Sequence, residues 1–284
     1  MSVSTRGRVR RPPPKKTKAL TQWDEELARQ AEEAAKREAN TGGDEQFFSL
    51  AGGILSWQES PLPNNEVAVI LLGSLFENVY YEAAYNPDDP APPTCFALAE
   101  EDDDLAPHPN VIEIGQSQTN SNCKECEHNK WGSADTGRGK ACRNTRRLAL
   151  LPAGKFDSDG QFELFEDPAH YEKEMVGYLR LPVTSVAGYA SYVKQLSGTL
   201  LRPPHGVVTS LRVVPSAKKQ FEVIFEVLQK VPDELLGAVM ARRKKIEAVM
   251  DFPYPLDFDD EPSPPKAKRA AQRGGRRKYS QTRR

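Results

Sequence analysis

All four cysteines of this 284-residue chain fall within one stretch of 48 residues. They are Cys95, Cys123, Cys126 and Cys142, and the middle two form a C-x-x-C pair. A tight turn with that spacing can direct two thiolates at one tetrahedral ion, and it is a common half of a zinc site. Cys142 follows after fifteen residues, the usual distance to a second ligand pair. Because no second C-x-x-C stands there, we expect Cys95 to complete a structural four-cysteine Zn²⁺ site.

Other ligands and other uses of the cysteines stay open at this point. His128, two residues after Cys126, is a rival fourth ligand, and His108 is a more distant one. A disulfide would need an oxidising compartment, whereas the N-terminal residues contain no apolar core of a signal peptide, so a reducing cytosol is expected. A thioredoxin-like redox pair would need a surrounding βαβ pattern, which the flanking sequence lacks. Four incidental cysteines are the remaining alternative.

The end of the cysteine stretch is rich in cations and contains an aromatic residue among glycines and polar residues. Clustered cations beside an exposed aromatic suit a nucleic-acid backbone and a stacked base. The candidate phosphate contacts are Arg138, Lys140, Arg143, Arg146, Arg147 and, on a later strand, Arg212. The candidate stacking residues are Trp57, Tyr80, Tyr81 and Trp131. The alternative is a solvated loop whose cations balance the acidic run at 100–104.

Charge is distributed unevenly along the chain. Residues 1–18 carry seven Lys and Arg, residues 266–284 carry nine, and neither segment contains an acid. The remainder of the chain contains the other 23 of the 39 Lys and Arg residues and all 40 Asp and Glu residues, so its formal net charge is −17. An acidic body with two basic arms is typical of proteins that contact a polyanion through their ends. No apolar run approaches the length of a membrane span, so no membrane partner is expected.

The body is predicted to be α+β and mainly β, between two disordered ends. Residues 1–18 are a disordered basic arm, 19–43 a helix, and 251–284 a disordered tail that is acidic and then basic. Predicted strands are 46–57, 66–85, 147–152, 160–165, 175–182, 206–214 and 220–228, and predicted helices are 184–197 and 232–250. Gly73 and Asn78 are expected bend or bulge points of the long second strand. This order predicts an OB-like nucleic-acid-binding barrel over 44–250, with the zinc-binding loop 95–147 inserted in it.

Three segments carry a resemblance to a known family. They are PPTCFAL at 92–98, C-x-x-C-x-x-N-x-W-G-S at 123–133 and GKACRNTRRLALL at 139–151. On these segments, and on a later one from LPVTSVAGYASYV to GVVTSLRVV, the chain resembles a family of tailed-phage proteins over about residues 46–230. Proteins of this kind are suspected of binding single-stranded DNA. The resemblance implies a role in replication or recombination in the cytoplasm of an infected host cell.

The leading hypothesis is a non-catalytic single-stranded DNA-binding protein of a phage. The sequence has no H-x-E before its C-x-x-C, as a zinc deaminase would, and no Walker loop. The alternative is a structural or scaffold protein of a virion or replication complex, which contacts DNA through its basic arms. Phage or host replication proteins and a second copy of the chain are further partners left open. Phage single-strand-binding proteins usually recruit partners through an acidic tail, whereas the last nineteen residues here are basic.

Overall fold

A six-stranded antiparallel sheet organises the fold. The computed structural model describes residues 26–27, 29–30, 47–83, 91–119, 121–135, 138–157 and 159–254. The strands are β1 (Ser56–Trp57), β2 (Ser60–Pro61), β3 (Glu66–Tyr80), β4 (Cys95–Ala99), β5 (Arg143–Pro152), β6 (Gly154–Phe156), β7 (Phe162–Leu164), β8 (Gly177–Leu181), β9 (Val207–Ser216) and β10 (Gln220–Lys230). Within residues 47–254 the α-helices are α1 (Pro109–Glu113), α2 (Pro168–Lys173), α3 (Val183–Gln195) and α4 (Asp233–Glu247).

The longest strand, β3, is the centre of the sheet. The order is β10-β9-β3-β5-β8, and β3 pairs with β5 along one edge and with β9 and then β4 along the other. The register shifts between Leu71 and Gly73, so the predicted bulge at Gly73 is confirmed. A Cβ on Gly73 would lie 2.9 Å from the sulfur of Met250, so the chain after α4 approaches the strand closely here. The register runs unbroken past Asn78.

Helices cover the sheet on both faces. On one face, Val69 and Leu71 belong to a core that α3 completes with Tyr189 and Tyr192. On the other face, Ile70 and its neighbours pack with α2 and α4 in a second core. Each core contains sixteen buried residues. Burial on both faces explains why the centre of β3 is continuously apolar instead of alternating between apolar and polar residues.

The α+β, mainly β class is confirmed, but the predicted strand 46–57 is wrong, and the strand β4 was missed because its residues were assigned to the zinc-binding loop 95–147. Of the predicted strand 46–57, residues 47–57 are described, and within them only Ser56–Trp57 is a strand, while Phe47 and Ser49 form isolated bridges. Ala51–Gly53 is a 3₁₀ turn that contains two positive φ angles, and such a turn interrupts extended pairing. The described pairings form an open order from β10 to β8, and none of them closes a barrel.

Several predictions fall wholly or partly outside the described residues. The basic arms at 1–18 and 266–284 lie outside them, as does most of the predicted helix 19–43, of which residues 26–27 and 29–30 are helical. Of the predicted tail, only residues 251–254 are described. Among the helices of the described ranges, none combines the length and the apolarity that a bilayer crossing requires.

Candidate functional site

Strand pairing brings the four cysteines to one place. Cys95 opens β4 and pairs with Tyr80, the last residue of β3, while Cys142 directly precedes β5. Because β4 and β5 flank the same end of β3, both cysteines lie at that end, and the loop that contains the C-x-x-C folds over them. All four cysteines line a single cavity of about 20 Å³. A cavity of that size holds one small atom or molecule.

The cysteines are buried and none is in a disulfide. Burial raises the pKa of the Cys123 thiol to about 11 and that of Cys142 to about 12. Burial also raises the pKa of Cys95, and a hydrogen bond from the Gln118 backbone opposes the increase. At neutral pH Cys95, Cys123 and Cys142 are therefore neutral thiols unless a cation replaces their protons, as thiolate-binding metals do.

Four thiols are a donor set that suits a structural zinc ion. Four thiols around one small, buried cavity match the tetrahedral Cys₄ sites that Zn²⁺ prefers. In the residues that the structure describes, no three His, Cys, Asp or Glu side chains are arranged to hold an ion as they stand. Metal binding would therefore require the sulfur atoms to move closer to one another.

The two histidines proposed as alternative ligands differ in position. His128 lines the cysteine cavity, and its ring stacks on Tyr80 with the centroids 4.1 Å apart. His108 caps α1, where its Nδ1 accepts a hydrogen bond from the Asn110 backbone at 3.2 Å, and it does not line the cavity. His128 is thus the one histidine of the two that could replace a cysteine.

Hydrogen bonds attach the loop to the cavity. The backbone N–H of Cys123 donates to the carbonyl of Leu105 at 2.8 Å. The backbone N–H of Cys142 donates to the backbone carbonyl of His128 at 2.8 Å. The Asn129 amide donates to the carbonyl of Cys123 at 2.8 Å. These bonds position the segments that carry three of the four sulfurs before any metal binds.

A network of asparagines joins this loop to the sheet. Asn144 on β5 donates to Asn78 on β3 at 2.6 Å and to Asn129 in the loop at 3.0 Å. The ammonium of Lys140 donates to Asn144 at 2.8 Å and to Asn129 at 3.0 Å. Asn78 also hydrogen-bonds the thiol of Cys123. Our sequence-based prediction missed these amides, because it began the strand after the cysteines at Arg147 and so left Asn144 in a loop.

Cations and aromatic side chains surround the outside of the loop. Trp131 is 81% exposed, and the Lys140 ammonium lies 5.8 Å from its ring centroid. Arg143 is exposed, with its guanidinium 5.4 Å from the ring centroid of Tyr81. We call these four residues the rim. Arg138 is exposed in the same loop, whereas Tyr80 is half-buried and its ring is stacked on that of His128.

Two predicted DNA contacts lie elsewhere in the fold. Trp57 packs against the first core, with its ring 4.4 Å from that of Phe48, and it also meets Gly177. Gly177 pairs with β5 seven residues beyond Arg143, which is roughly 23 Å along a strand. Arg212 pairs with the first residue of β3, at the far end from the cysteines, and forms an ion pair with Glu226 at 3.5 Å.

Arg147 is a correction to the prediction, because it is buried. Its side chain is 0% exposed and forms an ion pair with Glu77 at 2.6 Å. The same guanidinium donates to the carbonyl of Phe252 at 2.6 Å and lies 4.5 Å from the Phe252 ring centroid. Arg147 therefore holds the chain after α4 against the sheet, and no phosphate can reach it in this structure.

Comparisons with protein-family models, curated proteins and solved structures find no match to this chain. The resemblance to tailed-phage proteins stays a prediction.

Proposed function

We propose that the protein binds single-stranded DNA at the rim, and that a Zn²⁺ ion held by the four cysteines fixes the rim to the sheet. The observation that carries the proposal is the position of Trp131. It is 81% exposed, beside the Lys140 ammonium, on a loop whose base is the cysteine cavity. An exposed indole can stack on any base, and a neighbouring cation can follow the phosphates.

The proposed zinc would be structural. Cys95, Cys123, Cys126 and Cys142 would occupy all four positions of a tetrahedral ion and leave none open for a substrate. When bound, Zn²⁺ would cross-link the loop to the ends of β4 and β5. This arrangement favours a binding protein over an enzyme.

The rest of the proposal concerns the barrel and the biological setting. We propose that the sheet belongs to an OB-like barrel. The reason is that β3 is bulged at Gly73 and pairs with two different strands along one edge, as strands in small barrels do. An experimental structure would test whether the sheet closes. With the phage resemblance, the proposed setting is replication or recombination in the cytoplasm of an infected host.

Substitution of Trp131 tests the binding surface. In metal-loaded protein, Trp131→Ala should weaken oligo-dT binding by about 1–3 kcal/mol, because a stacked base loses its platform. Fluorescence anisotropy of a labelled oligonucleotide, with single- and double-stranded probes at several salt concentrations, measures this loss. Trp57→Phe is the matched control, since Trp57 packs against the first core and should not affect affinity. Unchanged affinity in folded, metal-loaded Trp131→Ala would contradict the proposal.

Deletion of the two basic arms separates the proposal from the scaffold alternative. Removal of residues 1–18 and 266–284 takes away sixteen cations. Non-specific affinity should fall and its dependence on salt should flatten, because fewer counterions are released. Preference for single strands should survive, since the rim is intact. Loss of all DNA binding in the truncated protein, together with normal binding by Trp131→Ala, would favour a scaffold that contacts DNA through its arms.

A further inference from the structure

A groove of about 380 Å³ lies beside the cysteine cavity. It is lined by residues of β3, β5, the cysteine loop and α3, and its volume is within the range of small-ligand sites. Three lining residues, Asn78, Cys123 and Asn129, also line the cysteine cavity. The groove and the candidate metal centre therefore share a wall.

Arg146 forms one side of the groove and has no ion-pair partner among the described residues. Its guanidinium carbon lies 3.3 Å from the ring centroid of Phe76, so the side chain is stacked on an aromatic face. Its one side-chain hydrogen bond to the described residues goes to the carbonyl of Thr145 at 3.3 Å. No carboxylate of the described ranges lies within ion-pair distance of it. Partial burial lowers the pKa of Arg146, so its charged form would gain from an anionic partner.

Lys140 supplies a second cation to the groove. Its ammonium is held by two amide oxygens, those of Asn129 and Asn144, and by no carboxylate of the described residues. An ammonium has three donors, so one is left for a ligand. The same ammonium lies 5.8 Å from the ring centroid of Trp131, so the groove adjoins the rim.

One carboxylate also lines the groove. Asp102 lies 3.9 Å from Lys124, which forms a shorter ion pair with Asp103. Asp102 is close enough to raise the pKa of Arg146, against the larger effect of burial. The lining therefore carries three cations and one acid. The two cations without acidic partners face a space that would take a group of negative charge.

We propose that this groove binds a phosphoryl group between Arg146 and Lys140. Guanidinium groups bind phosphate oxygens with paired donors, and lysine adds a point charge. Where the phosphate belongs to a DNA strand, this inference rests on the proposed function, and it names the position of one phosphate next to the base stacked on Trp131. A free nucleotide presents the same chemistry.

Calorimetric titration of the metal-loaded, full-length protein tests the groove. The ligands are inorganic phosphate, thymidine monophosphate, and oligo-dT with and without a 5′-phosphate. Arg146→Gln should lower the affinity for the phosphorylated ligands by about tenfold, which is the effect of one lost charge-assisted hydrogen bond. Asp102→Asn should raise the affinity for the same ligands, because it removes the one acid of the lining. Arg212→Gln, at the far end of β3, is the control and should change nothing.

Asp102→Asn keeps the test decisive if Arg146→Gln folds poorly, because Asp102 is exposed. A preference for 5′-phosphorylated oligo-dT would indicate a terminal phosphate, while equal affinity with the same loss in Arg146→Gln would indicate an internal one. Binding of the free nucleotide without binding of any oligonucleotide would support the groove and refute the single-strand proposal. Phosphoryl affinities that neither Arg146→Gln nor Asp102→Asn alters would overturn the inference.

Discussion

The two ends of β3 are stabilised in different ways. At its first half, apolar side chains enter two cores of sixteen buried residues each, one on either face of the sheet. At its second half, the neighbouring apolar clusters have only five and three buried residues. There the fold depends on four thiols, three asparagines and one buried ion pair. The first half can lose one contact and keep many others, whereas each polar group at the second half depends on a specific partner.

Among the variants considered, the loss of one cysteine should affect the two halves of β3 most unequally. The protein is expected to bind about one equivalent of zinc, and Cys142→Ser should abolish this binding. The reason is that a four-thiolate site loses much of its affinity when one ligand is removed. Elemental analysis measures the metal, and hydrogen exchange should show the loop unprotected while the centre of β3 stays protected. His108→Ala is the control, since His108 does not line the cavity.

The identity of the fourth ligand follows from a parallel pair of variants. Zinc lost in Cys95→Ser and retained in His128→Ala would support the four-cysteine site. The reverse result would make His128 the ligand. Native protein without metal would refute the centre altogether, and both halves of the sheet would then be stabilised without an ion.

The two neighbouring arginines of β5 give the next largest contrast. Arg147→Met should lower the free energy of unfolding by about 3–5 kcal/mol, because it leaves the Glu77 carboxylate buried without its partner. Arg146→Met should cost far less, since Arg146 has no such partner. Chemical denaturation measures both values. Restored stability in Arg147→Met combined with Glu77→Leu would confirm that the cost comes from the uncompensated charge.

A substitution in the first half should destabilise the sheet without affecting the metal. Leu150→Ala removes a fully buried side chain of the first core, which should cost about 2–5 kcal/mol. Zinc content should stay at about one equivalent in the folded protein. A loss of zinc at a temperature where the sheet is still folded would show that the two halves are coupled and would weaken the comparison.

The smallest effect is expected in the amide network. Asn144→Ala removes the hydrogen bonds that join Asn144 to Asn78 and to Asn129, which should cost about 1–3 kcal/mol. Thermal unfolding measures this cost. Asn110→Ala is a control, because its side chain is outside the network. A cost below that of the control would show that the second half does not depend on the amides.

The sequence predicted the cysteine cluster better than its surroundings. Because all four cysteines occur in one stretch, their convergence could be expected, and the structure places all four around one cavity. The predicted strand 46–57 was wrong, because Gly52 and Gly53 adopt positive φ angles in a 3₁₀ turn that interrupts extended pairing. Metal binding and DNA binding stay predictions.

The cations of β5 show why position along a strand matters. Our prediction began this strand at Arg147 and left Arg143 and Arg146 in the preceding loop. All three arginines were therefore predicted to contact phosphate. The strand begins at Arg143, and successive side chains then alternate between the two faces. Arg146 consequently lies in the groove and Arg147 beneath the chain after α4. A correct strand boundary would have separated the two roles.

The pairing of Tyr80 with Cys95 has a consequence for the order of folding. Cys95 and Cys142 are 47 residues apart, and they meet only when β4 and β5 have both docked on β3. Closing such a long loop is a slow, non-local step. We therefore expect zinc to be captured late, after the sheet has assembled. Added zinc should then slow unfolding and leave the rate of refolding nearly unchanged.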